Sequence, residues 1–116
     1  GIETAVLTNK AEEFVGEILA KAFPSHKFSF AWGQREGIER KPSPQGLVKL
    51  MEESGFVKEE CVYIGDSEVD IKTANSAGVD LICVLWGFRS EAQLKSAGAE
   101  KLVSNADELL REILTI

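Results

Sequence analysis

Apolar runs of strand length alternate with amphipathic segments along this chain, which predicts an α/β fold. The expected architecture is a Rossmann-like parallel sheet of about five strands with helices on both faces. Two observations carry this expectation. Cys61–Ile64 (CVYI) and Asp80–Leu85 (DLICVL) are nearly unbroken apolar runs, the pattern of parallel strands buried on both faces. Between such runs lie stretches with apolar residues at helical spacing, several closed by a glycine such as Gly55, Gly78 or Gly98, the residue that takes a left-handed cap without strain.

Taken in order, Thr4–Thr8 (TAVLT) reads as the first strand, and Asn9 with Glu12 has the spacing of a capping box. Phe14, Val15, Ile18, Leu19, Ala22 and Phe23 then keep one helical face until Pro24 and Ser25 end it. Phe28–Trp32 (FSFAW) reads as the second strand, and the polar stretch Gly33–Lys41 as a loop. Ser43 and Pro44 open a helix, with proline at its first position, that runs through Leu47, Leu50 and Met51 to Gly55. Cys61–Ile64 is the third strand, Ser67 starts the next helix, and Asp80–Leu85 is the fourth strand. Ser90 with Gln93 caps a short helix, Lys101–Val103 is a brief edge strand, and Asn105 with Glu108 caps a last helix.

The chain has 116 residues, enough for one domain with a real core. Apolar residues make up 44% and charged residues 28%, and the net charge is −6. That balance, with no cluster of Lys and Arg, argues against a nucleic-acid surface. The two cysteines, Cys61 and Cys83, sit inside apolar runs, where a free thiol behaves as a small buried hydrophobe, so a disulfide is the weaker reading. Nothing in these residues resembles a signal peptide or a bilayer-length apolar run, and the expected location is cytoplasmic, without membrane contact.

Chemistry is expected where strands stop. VYIGDSEVD, Val62–Asp70, is an apolar run that halts at Gly65 and is followed at once by Asp66 and Asp70; in open α/β sheets, ligands gather at the carboxyl ends of strands. Thr8, Asn9 and Lys10 follow the first strand and Lys41 lies in the long loop. Turn amides and a lysine can hold phosphate oxygens, while carboxylates suit magnesium, so the set fits phosphoryl transfer. Blander readings compete. Thr8 and Asn9 can simply cap a helix at Ala11, Asp70 stands where a capping-box acid would, and Asp66 can be a turn residue. Lys41 alone reads as a surface lysine, His26 as a cap or surface residue, and Trp86 and Phe88 as core or rim packing.

Together, VLTNK (Val6–Lys10), RKPSP (Arg40–Pro44) and VYIGDSEVD resemble, in order and spacing, the second, third and fourth motifs of the haloacid dehalogenase-like hydrolases. The TNK after the first strand and VLWGF (Val84–Phe88) look closest to the phosphoglycolate phosphatase branch. The resemblance implies that the Thr8 hydroxyl and the Asn9 amide bind the transferring phosphoryl group and that Lys41 neutralises its charge. It further implies that Asp66 ligates Mg2+ and that Asp70 supports the metal site or the lysine, displacing the capping reading of Asp70.

The family's first motif, a strand ending in Asp-x-Asp-x-Thr that supplies the nucleophile, has no match in this chain. The helical cap expected between the first and second motifs is missing as well, and Gly1 looks like the glycine that ends the helix before the second-motif strand. The 116 residues therefore read as the C-terminal part of such a core domain. The sheet is expected to be incomplete at its central strand, between Thr4–Thr8 and Cys61–Ile64, leaving edges that invite self-association or pairing with the missing segment. The expected activity is Mg2+-dependent hydrolysis of a small phosphorylated metabolite through an aspartyl-phosphate, with these residues inactive alone. The alternatives are a non-catalytic phosphate- or Mg2+-binding or protein-interaction remnant and, since cap residues separate these activities, a mutase or phosphonatase of the same superfamily.

Overall fold

A computed structural model describes residues 2–115, so the reading of Gly1 lies outside the described residues. Five strands and five α-helices alternate: β1 (Ala5–Ala11), α1 (Glu12–Ala22), β2 (Phe30–Gln34), α2 (Gln45–Ser54), β3 (Val62–Gly65), α3 (Glu68–Ala77), β4 (Asp80–Val84), α4 (Glu91–Ser96), β5 (Leu102–Val103) and α5 (Ala106–Leu114). A short 3-10 turn at Lys58–Glu60 precedes β3. All strand pairs are parallel, but they form two sheets, β1-β2 and β3-β4-β5, with no pairing between β1 and β3 among the described residues. The α/β class and the interrupted sheet are as the sequence predicts.

The three-stranded half holds the denser core. Along β4, Cys83 points to a cluster with Ile71 of α3 and Leu94 of α4, while Ile82 and Val84 point the other way, to Val103, Leu109 and Ile113. The period-2 alternation of a strand therefore places α3 and α4 on one face of this sheet and α5 on the other. Both cysteines are free, Cys83 buried and Cys61 half-buried, and burial raises both thiols.

The two-stranded half packs Val15 of α1, Trp32 of β2 and Leu47 and Leu50 of α2. Its outer surface keeps Phe14 and Ile18 exposed. The halves meet where α2 packs on α3 and at the polar network described below. Ile64 of β3 is 43% exposed.

Several local expectations need correction. The helix after β1 starts at Glu12, with Ala11 at the N-cap position and no side-chain cap; the Asn9–Glu12 capping box does not form because both side chains have tertiary partners instead. β2 is displaced by two residues, to Phe30–Gln34, taking Gly33 and Gln34 out of the expected loop. Pro44 precedes α2 rather than occupying its first turn. Trp86 and Phe88 are 54% and 98% exposed, so neither packs in the core. The glycine caps at Gly55 and Gly78 and the Ser90–Gln93 capping box form as expected.

Candidate active site

The first element of the site is a bulge in β1. Leu7 pairs with Trp32 and Ala11 with Gln34, so Thr8, Asn9 and Lys10 together oppose the single residue Gly33. This arrangement depends on glycine: a Cβ at Gly33 would lie 2.5 Å from the Lys10 carbonyl oxygen and 2.7 Å from Val15. Glu12 pins the same corner. Its carboxylate accepts from the Gly33 amide at 2.6 Å and from Arg35 Nε at 2.8 Å, while the Arg35 guanidinium stacks 3.9 Å from the Trp32 ring. Partial burial raises the Glu12 carboxyl, but the Arg35 and Gly33 bonds outweigh it and leave it below its ordinary value.

Bulging turns Asn9 towards the long loop rather than towards α1. The Lys41 amide donates to Asn9 Oδ1 at 3.0 Å, and Asn9 Nδ2 donates to the Lys41 carbonyl at 3.2 Å. This pair of bonds mimics a strand rung and fixes the backbone of Lys41, which precedes a cis peptide bond to Pro42. The Thr8 hydroxyl accepts from the Lys10 amide at 3.3 Å.

From that fixed backbone the Lys41 side chain crosses between the two sheets. Its Nζ donates to the Leu7 carbonyl of β1 at 3.3 Å, to Tyr63 Oη of β3 at 3.0 Å and to Asp70 Oδ1 of α3 at 3.0 Å. The ion pair is mostly shielded, with side-chain exposures of 15% for Lys41 and 10% for Asp70.

Asp70 takes four hydrogen bonds. Oδ1 accepts from Lys41 and, at 2.9 Å, from Tyr63 Oη; Oδ2 accepts from the Asp66 amide at 3.0 Å and from Ser67 Oγ at 3.3 Å. Burial pushes the carboxyl up, but the Asp66 amide, Lys41 and Tyr63 outweigh it, so it lies below its ordinary value. Gly65 makes this close approach feasible, since any Cβ there would run into Asp70. Asp70 thus serves the start of α3, as a capping acid would, and binds Lys41 as well.

Asp66 stands at the end of β3, half-buried, and its carboxylate takes no hydrogen bond or ion pair among the described residues. Gly87 lies against it so closely that a side chain at that position would run into the carboxylate. The loop bearing Gly87 is tied down by Arg89, which donates to Glu68 through Nε at 2.8 Å and Nη2 at 3.1 Å. Those bonds hold Glu68 at about 2.

Lys41 and Asp70 are therefore in direct contact, Asn9 grips the Lys41 backbone, Asp66 adjoins through its amide, and Thr8 follows the carbonyl that Lys41 contacts. A shallow depression lined by Thr8, Asn9, Gln34 and Lys41 opens beside them. Tyr63, Glu12, Arg35, Gly33 and Gly87 were not legible as site residues. Tyr63 alone carried a usable signal: a hydroxyl within an aliphatic strand, two residues before Gly65 and so on the same face.

The fold and this constellation define a class. Residues 1–84 match the haloacid dehalogenase-like hydrolase family model, and the chain belongs to that family. It is 30% identical over 108 residues to phosphoglycolate phosphatase of Photorhabdus laumondii, covering 93% of this chain and 46% of that one. Against phosphoglycolate phosphatase of Pseudomonas putida it is 27% identical over 110 residues, 95% of this chain and 40% of the other. The crystal structure of a candidate phosphoglycolate phosphatase from Lactobacillus delbrueckii superposes with a TM-score of 0.91 at 42% identity, covering 97% of this chain and 47% of that one. The chain thus spans less than half the length of these relatives.

Proposed function

We propose that these residues form the C-terminal core of a Mg2+-dependent phosphatase acting on a small phosphorylated metabolite of the phosphoglycolate type. The observation that carries this reading is the convergence of Lys41, Asn9, Asp70 and Asp66 from three separate segments onto one network. The names of the relatives support the substrate class. In this reading the Thr8 hydroxyl and Asn9 amide receive the phosphoryl group and Lys41 neutralises its oxygens.

The donor set fits magnesium in part. Mg2+ takes oxygen ligands, commonly one or two carboxylates with water and substrate oxygens completing the shell. Asp66 offers an uncommitted carboxylate; both oxygens of Asp70 are already engaged, and no group of three or more His, Cys, Asp or Glu side chains is placed to hold a metal among the described residues. We therefore assign Asp66 as the ligand and Asp70 as its support, acting through the Asp66 amide. A bound Mg2+ would offset charge on the phosphoryl oxygens.

The nucleophile is taken to come from outside these residues: an aspartate attacks phosphorus and expels the alcohol, and water then hydrolyses the aspartyl-phosphate. No helix among the described residues is long and apolar enough to cross a membrane, which is compatible with the cytoplasmic location we propose. The test uses p-nitrophenyl phosphate with Mg2+. The 116-residue chain is expected to give no turnover, and addition of a segment bearing Asp-x-Asp-x-Thr from the same protein to restore it. Turnover by the chain alone would sink the requirement for an outside nucleophile, and no recovery with the segment would remove the phosphatase reading.

A second reading, an interaction module of the same fold, is favoured by one observation: among the described residues, β1 and β3 are each paired on one side only. Concentration-dependent dimerisation in sedimentation, abolished by a charged residue at Ile64, would support it.

A further inference from the structure

Lys41 Nζ has three protons and three acceptors: the Leu7 carbonyl, Tyr63 Oη and Asp70 Oδ1. Tyr63 has one hydroxyl proton, and it goes to Asp70 Oδ1 at 2.9 Å, so the same oxygen receives a proton from Lys41. The three groups close a triangle in which each touches the other two. The bond to Leu7 is the longest at 3.3 Å and ends on a neutral carbonyl, which makes it the weakest of the three.

We propose that Tyr63 is a positioning residue whose hydroxyl holds the Lys41 ammonium group against Asp70, aimed into the space between β1 and β3; its functional meaning rests on the phosphatase reading above. The geometry is built for it. Tyr63 shares a strand face with Gly65, the residue that lets Asp70 approach β3, and its ring lies 5.8 Å from Lys41 Nζ, so the aromatic body also confines the ammonium group. Without the hydroxyl, Lys41 loses one acceptor, Asp70 Oδ1 loses one donor, and a flexible four-carbon stem is held only by Asp70 and the weaker bond to the Leu7 carbonyl.

The test compares wild type with Tyr63→Phe in this chain, without phosphate, by reductive methylation read lysine by lysine in the mass spectrometer. Labelling of Lys41 is expected to rise several-fold while the exposed Lys10, Lys58 and Lys101 keep their rates. An unchanged Lys41 overturns the proposal, and so does a parallel rise at all lysines, which would mark a general loosening. Asp70→Asn alone is also expected to raise Lys41 labelling, and the double variant to exceed neither single one by the product of their effects, because both changes act on one shared triangle; full multiplicativity overturns it. Should Tyr63→Phe fail to fold, the unaltered protein with 15N-lysine decides: a slowly exchanging Lys41 ammonium signal with cross-peaks to the Tyr63 ring supports the hold, and its absence overturns it. Turnover is a separate readout. Raised Lys41 labelling in a protein whose activity is never restored removes the phosphatase reading only, whereas unchanged labelling beside restored turnover removes Tyr63 only.

Discussion

The two sheets of this molecule solve the same packing problem to different degrees. β3-β4-β5 is covered on both faces, and Ile71, Ile82, Cys83 and Leu94 are each 1% exposed or less. β1-β2 has no fully buried residue on β1, and α1 above it leaves Phe14 53% exposed. Yet the poorly buried half supplies the Thr8–Asn9 bulge and the loop that carries Lys41. The comparison teaches that the site is not built on the core of either half. Its lysine is rooted in one half, by Asn9 of β1, and neutralised by the other, by Asp70 of α3, so the polar network does part of the work that a central strand would do.

The largest effect should come from the dense half. Ile82→Ala is expected to cost about 4 kcal/mol, the transfer loss plus an unrelaxed cavity, measured by urea unfolding. Breaking the bridge comes next. Asp70→Asn leaves the shielded Lys41 charge without its counter-ion and should cost about 3 kcal/mol; a loss below about 0.5 kcal/mol would mean that the network does not join the halves. Gly33→Ala should cost about 2 kcal/mol, because the new methyl group meets the Lys10 and Glu12 backbone as well as the buried Val15 side chain, and its NMR shifts should concentrate at Thr8–Glu12.

Acid should weaken the bridge in a defined direction. The Asp70 carboxyl is depressed in the folded protein below its ordinary 3.8, so its contribution is complete above that value and is lost as pH falls through the folded one. The stability gap between wild type and Asp70→Asn should therefore stay constant from neutrality to about pH 4 and close below it. A gap that closed near neutrality would contradict the hydrogen-bond pattern. The smallest effect belongs to the open surface: Phe14→Ala and Phe88→Ser should each change stability by less than about 0.5 kcal/mol. A larger loss at Phe14 would show that α1 is better covered than its exposure indicates.

Much of this was legible from local pattern. The alternation of apolar runs and helical faces placed most strand and helix boundaries within about two residues, the usual fraying of such boundaries, although β1 runs on to Ala11, three residues past the expected Thr8, and glycine marked the ends at Gly55 and Gly78. The residues of the candidate site were legible only as a set, because Lys41 alone looks like a solvated lysine and Asp70 alone like a capping acid. What pattern missed was long-range. The Asn9–Glu12 spacing is a good local capping signal, but Lys41 lies 32 residues from Asn9 and Gly33 lies 21 from Glu12, and those partners win because they satisfy backbone groups of Lys41 and Gly33 that would otherwise be left unpaired. Trp86 and Phe88 read as core or rim packing because an aromatic after a strand usually packs; here Gly87 lies against Asp66, and Phe88 is 98% exposed while Trp86, 54% exposed, stays at the rim.

The sequence by itself determined the α/β class, the strand-end location of the polar residues and the absence of an Asp-x-Asp-x-Thr match, since each depends on residue type and short spacing. Tertiary structure alone decided that three residues bulge opposite one glycine and that Lys41, Tyr63 and Asp70 close on one another. Those outcomes depend on groups far apart in the chain competing for the same hydrogen-bond partners, and that competition is settled only when the two halves come together.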